Sequence, residues 1–183
     1  EAWLLLAAAY GALGRFDEAA KAYRDYLGKN PKGEAAAQAE FGLALIDKET
    51  GKIPQAITAF KKIRDTYPNL PQGEQAFFWA AYLSAQTNQS DAITELNNFI
   101  AKYPQSSLIP TVKLTLGGAL MATDKAKATE ILTEVADRYP DSEAAPFSYF
   151  YRVNLLAAEQ KTDEVIDLMK KFIAAYPTNQ YVF

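Results

Sequence analysis

The chain has 183 residues, 49% hydrophobic and 22% charged, which fits one ordinary domain or one short repeat array. Its formal net charge is −3 and its 19 Lys and Arg are spread along the chain, which argues against nucleic acid as a partner, since phosphate binding needs clustered positive charge. With no Cys and no His, disulfides, thiol chemistry, Ser-His-Asp triads and the usual zinc ligand sets are excluded.

In chain order the sequence predicts paired helices. The first, Glu1–Leu13, contains the most apolar stretch, Ala2 to Leu13. That stretch is shorter than the roughly 20 residues that span a bilayer, so it reads as a buried helix. Further first helices are expected at about Glu34–Glu49, Gly73–Thr87, Leu108–Thr123 and Glu143–Glu159. The second helices carry the clearer signal. In Ser90–Lys102, residues Ala92, Ile93, Leu96, Phe99 and Ile100 recur at helical spacing. Ser90, Asp91, Asp17, Asp124 and Thr162-Asp163 offer side-chain oxygens to first-turn N–H groups. Pro54 opens another second helix at a position where no hydrogen bond is lost. Gly14 and Gly51 turn the chain inside the first two pairs; Thr87-Asn88, Thr123-Asp124 and Gln160-Lys161 stand there later. The basic spots Lys61-Lys62-Arg64 and Lys170-Lys171 read as solvated helix faces.

Five X-Pro dipeptides beat through this pattern: Asn30-Pro31, Tyr67-Pro68, Tyr103-Pro104, Tyr139-Pro140 and Tyr176-Pro177, with prolines 37, 36, 36 and 37 residues apart. Each stops a second helix, because proline disfavours the α region for the residue before it. Twelve residues upstream sits a small residue (Ala19, Ala56, Ala92, Ala128, Val165), and four beyond it a large one (Tyr23, Phe60, Leu96, Leu132, Met169). A fixed period of this length marks a repeat architecture. The small residue is expected where two helices approach closely, with Val165 making the fifth repeat pack differently. Each Tyr ring is expected to fold over the junction with the next repeat. The tail Thr178–Phe183 reads as the opening of a sixth repeat, so the chain is expected to be an excerpt of a longer protein.

Trp3-x-x-Leu6-Ala7-x-x-Tyr10, then Ala19-x-x-x-Tyr23, then Pro31 resembles the tetratricopeptide repeat pattern, with Ala7 for Gly and Tyr23 for Phe. Leu43, Ala44, Gly51, Ala56, Phe60 and Pro68 continue it with Glu40 at the Trp position; Trp79 takes the Leu position in the third repeat. The resemblance implies an all-α, right-handed α-solenoid of about five helix-turn-helix repeats over residues 1–183, bounded near 1–31, 32–68, 69–104, 105–140 and 141–177. The longer period and the Tyr-Pro ending look like bacterial cell-envelope members, such as the outer-membrane barrel-assembly lipoprotein and the Tol-Pal coordinator. The lack of Cys fits a periplasmic or envelope location over a cytoplasmic one.

In this family the first helices line a concave face that holds protein or peptide partners. Carried over by register, that row is Leu4 and Ala8; Phe41, Leu45 and Lys48; Phe77, Ala81 and Ser84; Lys113, Gly117 and Met121; Phe150, Asn154 and Ala158. Phe41, Phe77 and Phe150 would make the face aromatic, with at least two of the three exposed; the competing reading makes them core. Lys113 and Asn154 either orient a peptide or are ordinary solvated residues. The Lys and Asn of the family's carboxylate clamp are replaced by Leu4 and Ala8, so that specificity is not expected.

No catalytic, cofactor or metal site is expected. The acid pairs Asp17/Glu18, Asp141/Glu143 and Asp163/Glu164 stand at helix starts, where the dipole favours them. Gly117-Gly118 reads as close helix packing, not a phosphate loop. The expected function is a non-catalytic protein–protein scaffold in envelope assembly. The alternatives are a peptide-sensing regulator, or a helical accessory part of an enzyme whose catalytic domain lies elsewhere. Self-association through Trp3–Tyr10 and Tyr181–Phe183 is also expected. The register is tested at Ala92: Ala92→Arg is predicted to abolish cooperative unfolding in a thermal melt, and an unchanged melting temperature would refute it.

Overall fold

The computed structural model describes residues 2–29 and 31–177. Glu1, Asn30 and the predicted sixth-repeat opening Thr178–Phe183 lie outside them. Among the described residues the chain forms ten α-helices and no strand. The first helices are α1 (Ala2–Ala12), α3 (Glu34–Glu49), α5 (Pro71–Ser84), α7 (Ile109–Leu120) and α9 (Ala144–Ala158). The second helices are α2 (Phe16–Leu27), α4 (Ile53–Thr66), α6 (Gln89–Lys102), α8 (Lys125–Arg138) and α10 (Thr162–Ala175). The all-α class and the helix pairing agree with the sequence. Apart from α3, which matches at both ends, the first-helix boundaries differ by one to three residues, most at α5, which starts at Pro71 and ends before Thr87.

Local chemistry explains the ends. Asp124 caps α8 by accepting from the Lys127 N–H at 2.9 Å. For α6 the acceptor is Asn88, which takes the Asp91 N–H at 3.3 Å. Pro71 and Pro54 lie in first turns, where proline loses nothing. Within three hairpins the turn holds one residue in the left-handed region: Gly14 at φ 71°, Gly51 at φ 76° and Gln160 at φ 59°. The third and fourth hairpins have no such residue, and their second helices begin directly after Asn88 and Asp124.

Contacts divide the chain into two compact units, Glu1–Asp91 and Ala92–Phe183. In the first, consecutive helices α1 to α5 pack in order, and α1, α3 and α5 also touch in sequence. In the second, α7, α8, α9 and α10 pack in order and α7 touches α9. Within each unit, α3 and α9 are thus covered on two sides, by their own partners and by the preceding hairpin.

The small residues Ala19, Ala56, Ala92 and Ala128 have no exposed surface, and Val165 is half-buried. Large neighbours fill the seams around them. Phe60 is fully buried with Ala44, Ala56, Ile63, Ala76, Ala80 and Leu83, a burial that contributes roughly 1.5–3 kcal/mol. Tyr23 closes a second cluster with Leu4, Ala7, Ala19 and Ile46. Two Tyr-Pro rings pack on the first helix of their own hairpin. The Tyr176 hydroxyl donates to the Pro140 carbonyl at 2.9 Å, and its ring centre lies 5.9 Å from that of Tyr149 on α9. Tyr139 faces Lys113 on α7, 6.0 Å from the ring centre.

Gly73 shows how closely backbones meet. A Cβ there would lie 1.9 Å from the Tyr67 carbonyl oxygen. Backbone cannot swing away as a side chain does, so Gly73→Ala forces α5 off the end of α4. The expected cost is about 2–3 kcal/mol by urea denaturation.

Candidate binding face

In α9 all the exposed residues but Ala157 fall at i, i+4, i+7 and i+11: Phe147, Tyr151, Asn154 and Ala158. That spacing draws one stripe along a helix. Two 36-residue periods earlier the same offsets on and just past α5 give Gln75, Trp79, Tyr82 and Gln86, all exposed except half-buried Trp79. In α3 the stripe is Gln38, Gly42, Leu45 and Glu49, and in α1 it is Leu5, Ala8 and Ala12. On and just past α7 it is Thr111, Thr115, Gly118 and Ala122.

The residues expected by register only partly lie on it. Leu45, Asn154, Ala8 and Ala158 do. Phe77, Ala81 and Ser84 are instead core, each no more than 5% exposed, which corrects the expectation of an exposed Phe77. Phe41 is half-buried, edge-on to Phe60 with ring centres 5.4 Å apart. Phe150 is half-buried against Phe172 at 5.2 Å. The three matched Phe therefore serve the core, and the exposed aromatics are others: Tyr82, Phe147 and Tyr151. Leu4 and Gly117 are buried, and Met121 is half-buried beside the stripe.

Register explains the misses in the third and fourth hairpins. All the correctly placed residues belong to hairpins whose turn holds the left-handed residue. In the third and fourth hairpins Tyr82 and Gly118 stand 22 residues before the proline, against 23 for Ala8, Leu45 and Asn154, and one residue rotates an α-helix face by about 100°. Counting back 23 residues in these two hairpins lands on the wrong face. The missed signal was the helical spacing of neutral residues within α5 and α9 themselves.

Neither expected lysine offers a free charge. Lys48 pairs with Glu49 at 2.5 Å and lies 4.4 Å over the Trp79 ring, joining α3 to α5. Lys113 pairs with Glu134 of α8 at 2.5 Å, and Glu134 also accepts from Arg138 at 2.8 Å. These two cations hold helices together. The stripe itself is neutral but for Glu49.

Small residues shape the stripe. Gly118 lets Tyr151 lie against α7, with a ring carbon 3.1 Å from where a Cβ would stand. Between α1, α2 and α3 they leave a cavity of about 490 Å³, lined by Ala8, Gly11, Ala12, Tyr23, Gly42 and Leu45, with Glu49 at its rim. Tyr23 lies across Gly42, whose missing Cβ would stand 2.7 Å from the hydroxyl oxygen. Burial pushes the Tyr23 hydroxyl above the usual tyrosine value. Among the described residues no group of three or more acidic side chains could hold a metal ion, and no helix is long and apolar enough to cross a membrane.

Glu134 gives a pH-dependent element. Its hydrogen bond from Lys113, with Arg138 added, holds its carboxyl below the usual value despite partial burial. A lowered folded value means that the stabilisation is full above the unfolded value and is lost as pH falls through the folded one. Glu134→Gln should therefore lower stability at neutral pH and flatten the stability curve below about pH 4.5, read by urea melts across the acid range.

Family models described as tetratricopeptide repeat match residues 4–71, and 75–106 with 112–142, together well over half of the chain. Solved structures are similar throughout at low identity. MamA from Desulfovibrio magneticus RS-1 is 13% identical with a TM-score of 0.77, covering 97% of this chain and 95% of that one. A tetratricopeptide repeat protein from Parabacteroides merdae is 13% identical with a TM-score of 0.76, covering 98% and 67%. YrrB, described as a repeat protein with an unusual peptide-binding site, is 13% identical with a TM-score of 0.66, covering 97% and 86%. No curated protein matches the sequence.

Proposed function

Because this chain belongs to the tetratricopeptide repeat family, we propose that it is a non-catalytic scaffold holding a partner protein on the outward stripe of its first helices. The observation that carries this reading is the recurrence of aromatic and amide side chains at matched positions, all exposed except half-buried Trp79. Trp79 and Tyr82 stand on α5 between Gln75 and Gln86; Phe147 and Tyr151 stand on α9 beside Asn154. Rings supply contact area at low entropy cost, and amides can pair with an extended backbone. Isolated apolar residues on a surface are ordinary, whereas a repeated stripe of them is a binding feature.

The neutral stripe favours a peptide segment gripped by apolar burial, with backbone hydrogen bonds at the rim. The likeness to YrrB supports a peptide over a folded domain. The long period and the Tyr-Pro endings support a setting in bacterial envelope assembly. Self-association through α1, whose Trp3 and Leu5 are exposed, belongs to the same proposal; its other expected element, Tyr181–Phe183, lies outside the described residues.

The test is a random-peptide display library panned on the purified chain. Tyr82→Glu puts a charge in the middle of the α5 stripe at a residue 39% exposed, where folding is not at stake. Recovered peptides should lose at least about tenfold in affinity, or about 1.4 kcal/mol, with helicity and melting temperature unchanged. Equal affinity in the variant removes the stripe as the binding face.

A further inference from the structure

Second helices cover the next first helix through fixed positions, which stand 11 and 4 residues before the hairpin's proline. In the first hairpin these are Ala20 and Leu27, packed in the cluster that holds Ala39 and Ile46 of α3. In the second, Ile57 packs against the cluster that holds Ala76, Ala80 and Leu83 of α5. Its companion Arg64 lies 5.0 Å over the Phe77 ring of α5. In the fifth hairpin the same positions hold Ile166 and Ile173, and each is 47% exposed. With Met169 they fall at i, i+3 and i+7, one apolar stripe along α10.

The receiving positions are equally fixed. On α3, Ala39, Leu43 and Ile46 stand 29, 25 and 22 residues before Pro68, and all three pack in the cluster with Ala20 and Tyr23 of α2. On α1 the same counts from Pro31 give Ala2, Leu6 and Ala9, all exposed, Leu6 by 44%. No charged residue stands between Ala2 and Gly14, so this face of α1 is wholly apolar.

We propose that a second copy of this chain covers α1, its α10 lying on the Leu6 face as α2 lies on α3. The register argues for this occupant, because one chain exposes both the positions that cover and the positions that are covered. Side-chain sizes exchange in the matching way. Between α2 and α3, Tyr23 stands 8 residues before its proline and lies across Gly42, which stands 26 before the next one. Across two copies the same positions hold Met169 and Leu5, a slimmer and more flexible side chain against a larger one. A contact between two different faces leaves one of each free, so association continues head to tail beyond a pair. This inference rests on the self-association included in the reading above and adds which helix meets which; peptide capture by the stripe does not depend on it.

The test is sedimentation velocity on the purified chain and on two variants at exposed positions, Leu6→Glu and Ile173→Glu, whose helicity and melting temperature should match the wild type. The wild-type chain should form dimers and larger species as its concentration rises. A carboxylate in the seam is costly to bury, so each variant alone should stay monomeric to at least about tenfold the concentration at which the wild type is half associated. Mixed in equal amounts, the two variants should form a dimer and nothing larger, since the mixture holds one intact α10 face and one intact α1 face. A dimer of Ile173→Glu alone means that α1 pairs with α1 and overturns the proposal. So does association that both variants leave unchanged, which keeps self-association through another surface. A wild-type chain that stays monomeric overturns self-association as a whole. Display peptides that bind the monomeric variants as they bind the wild type keep the stripe standing in each of these cases.

Discussion

The first four hairpins depend on how closely two helices can approach at one alanine in each. Ala19, Ala56, Ala92 and Ala128 have no exposed surface, and large neighbours such as Phe60 close over the seam. A hairpin of this length cannot bury its apolar face alone, so its stability comes from the helices packed on either side. The same requirement accounts for the bare glycines. Gly42, Gly73 and Gly117 stand where a Cβ would strike Tyr23, the Tyr67 backbone or Leu132. Close packing on two sides leaves α3 and α9 one narrow strip of free surface each.

Charge plays a subordinate part. Lys48 and Lys113 stood in the expected binding row, yet each joins a helix to its neighbour through a carboxylate or a ring. Spending the cations on packing leaves the free strip nearly neutral. A neutral strip with aromatic and amide groups discriminates by shape and hydrogen bonding more than by long-range attraction. Salt should therefore have little influence on what it holds.

The second helices were legible in the sequence because every one of them starts the same distance before its proline and carries its small and large residues at fixed offsets. The helix class, the pairing and the core row followed from that beat. The faces of the first helices were legible only where the turn was also constant. Ala8, Leu45 and Asn154 lie across turns that hold Gly14, Gly51 and Gln160 in the left-handed region, and these were placed correctly. Phe77 lies in a hairpin whose stripe stands one residue nearer the proline, so the count from the proline put it on the wrong face. The Tyr23 cavity left no sequence signal, because it arises from three helices meeting and not from any local pattern.

The left-handed residue in the turn has a consequence for how such chains diversify. It goes with a phase setting: hairpins that hold it carry the stripe residue 23 positions before the proline, and the two that lack it carry that residue 22 positions before. Recombination between related genes that cuts inside a second helix carries a first helix together with its own turn, and so preserves which residues face out. A cut inside the turn scrambles that choice while leaving the fold intact. Crossover position thus decides whether a new array inherits a partner or acquires a blank surface on which another can be selected.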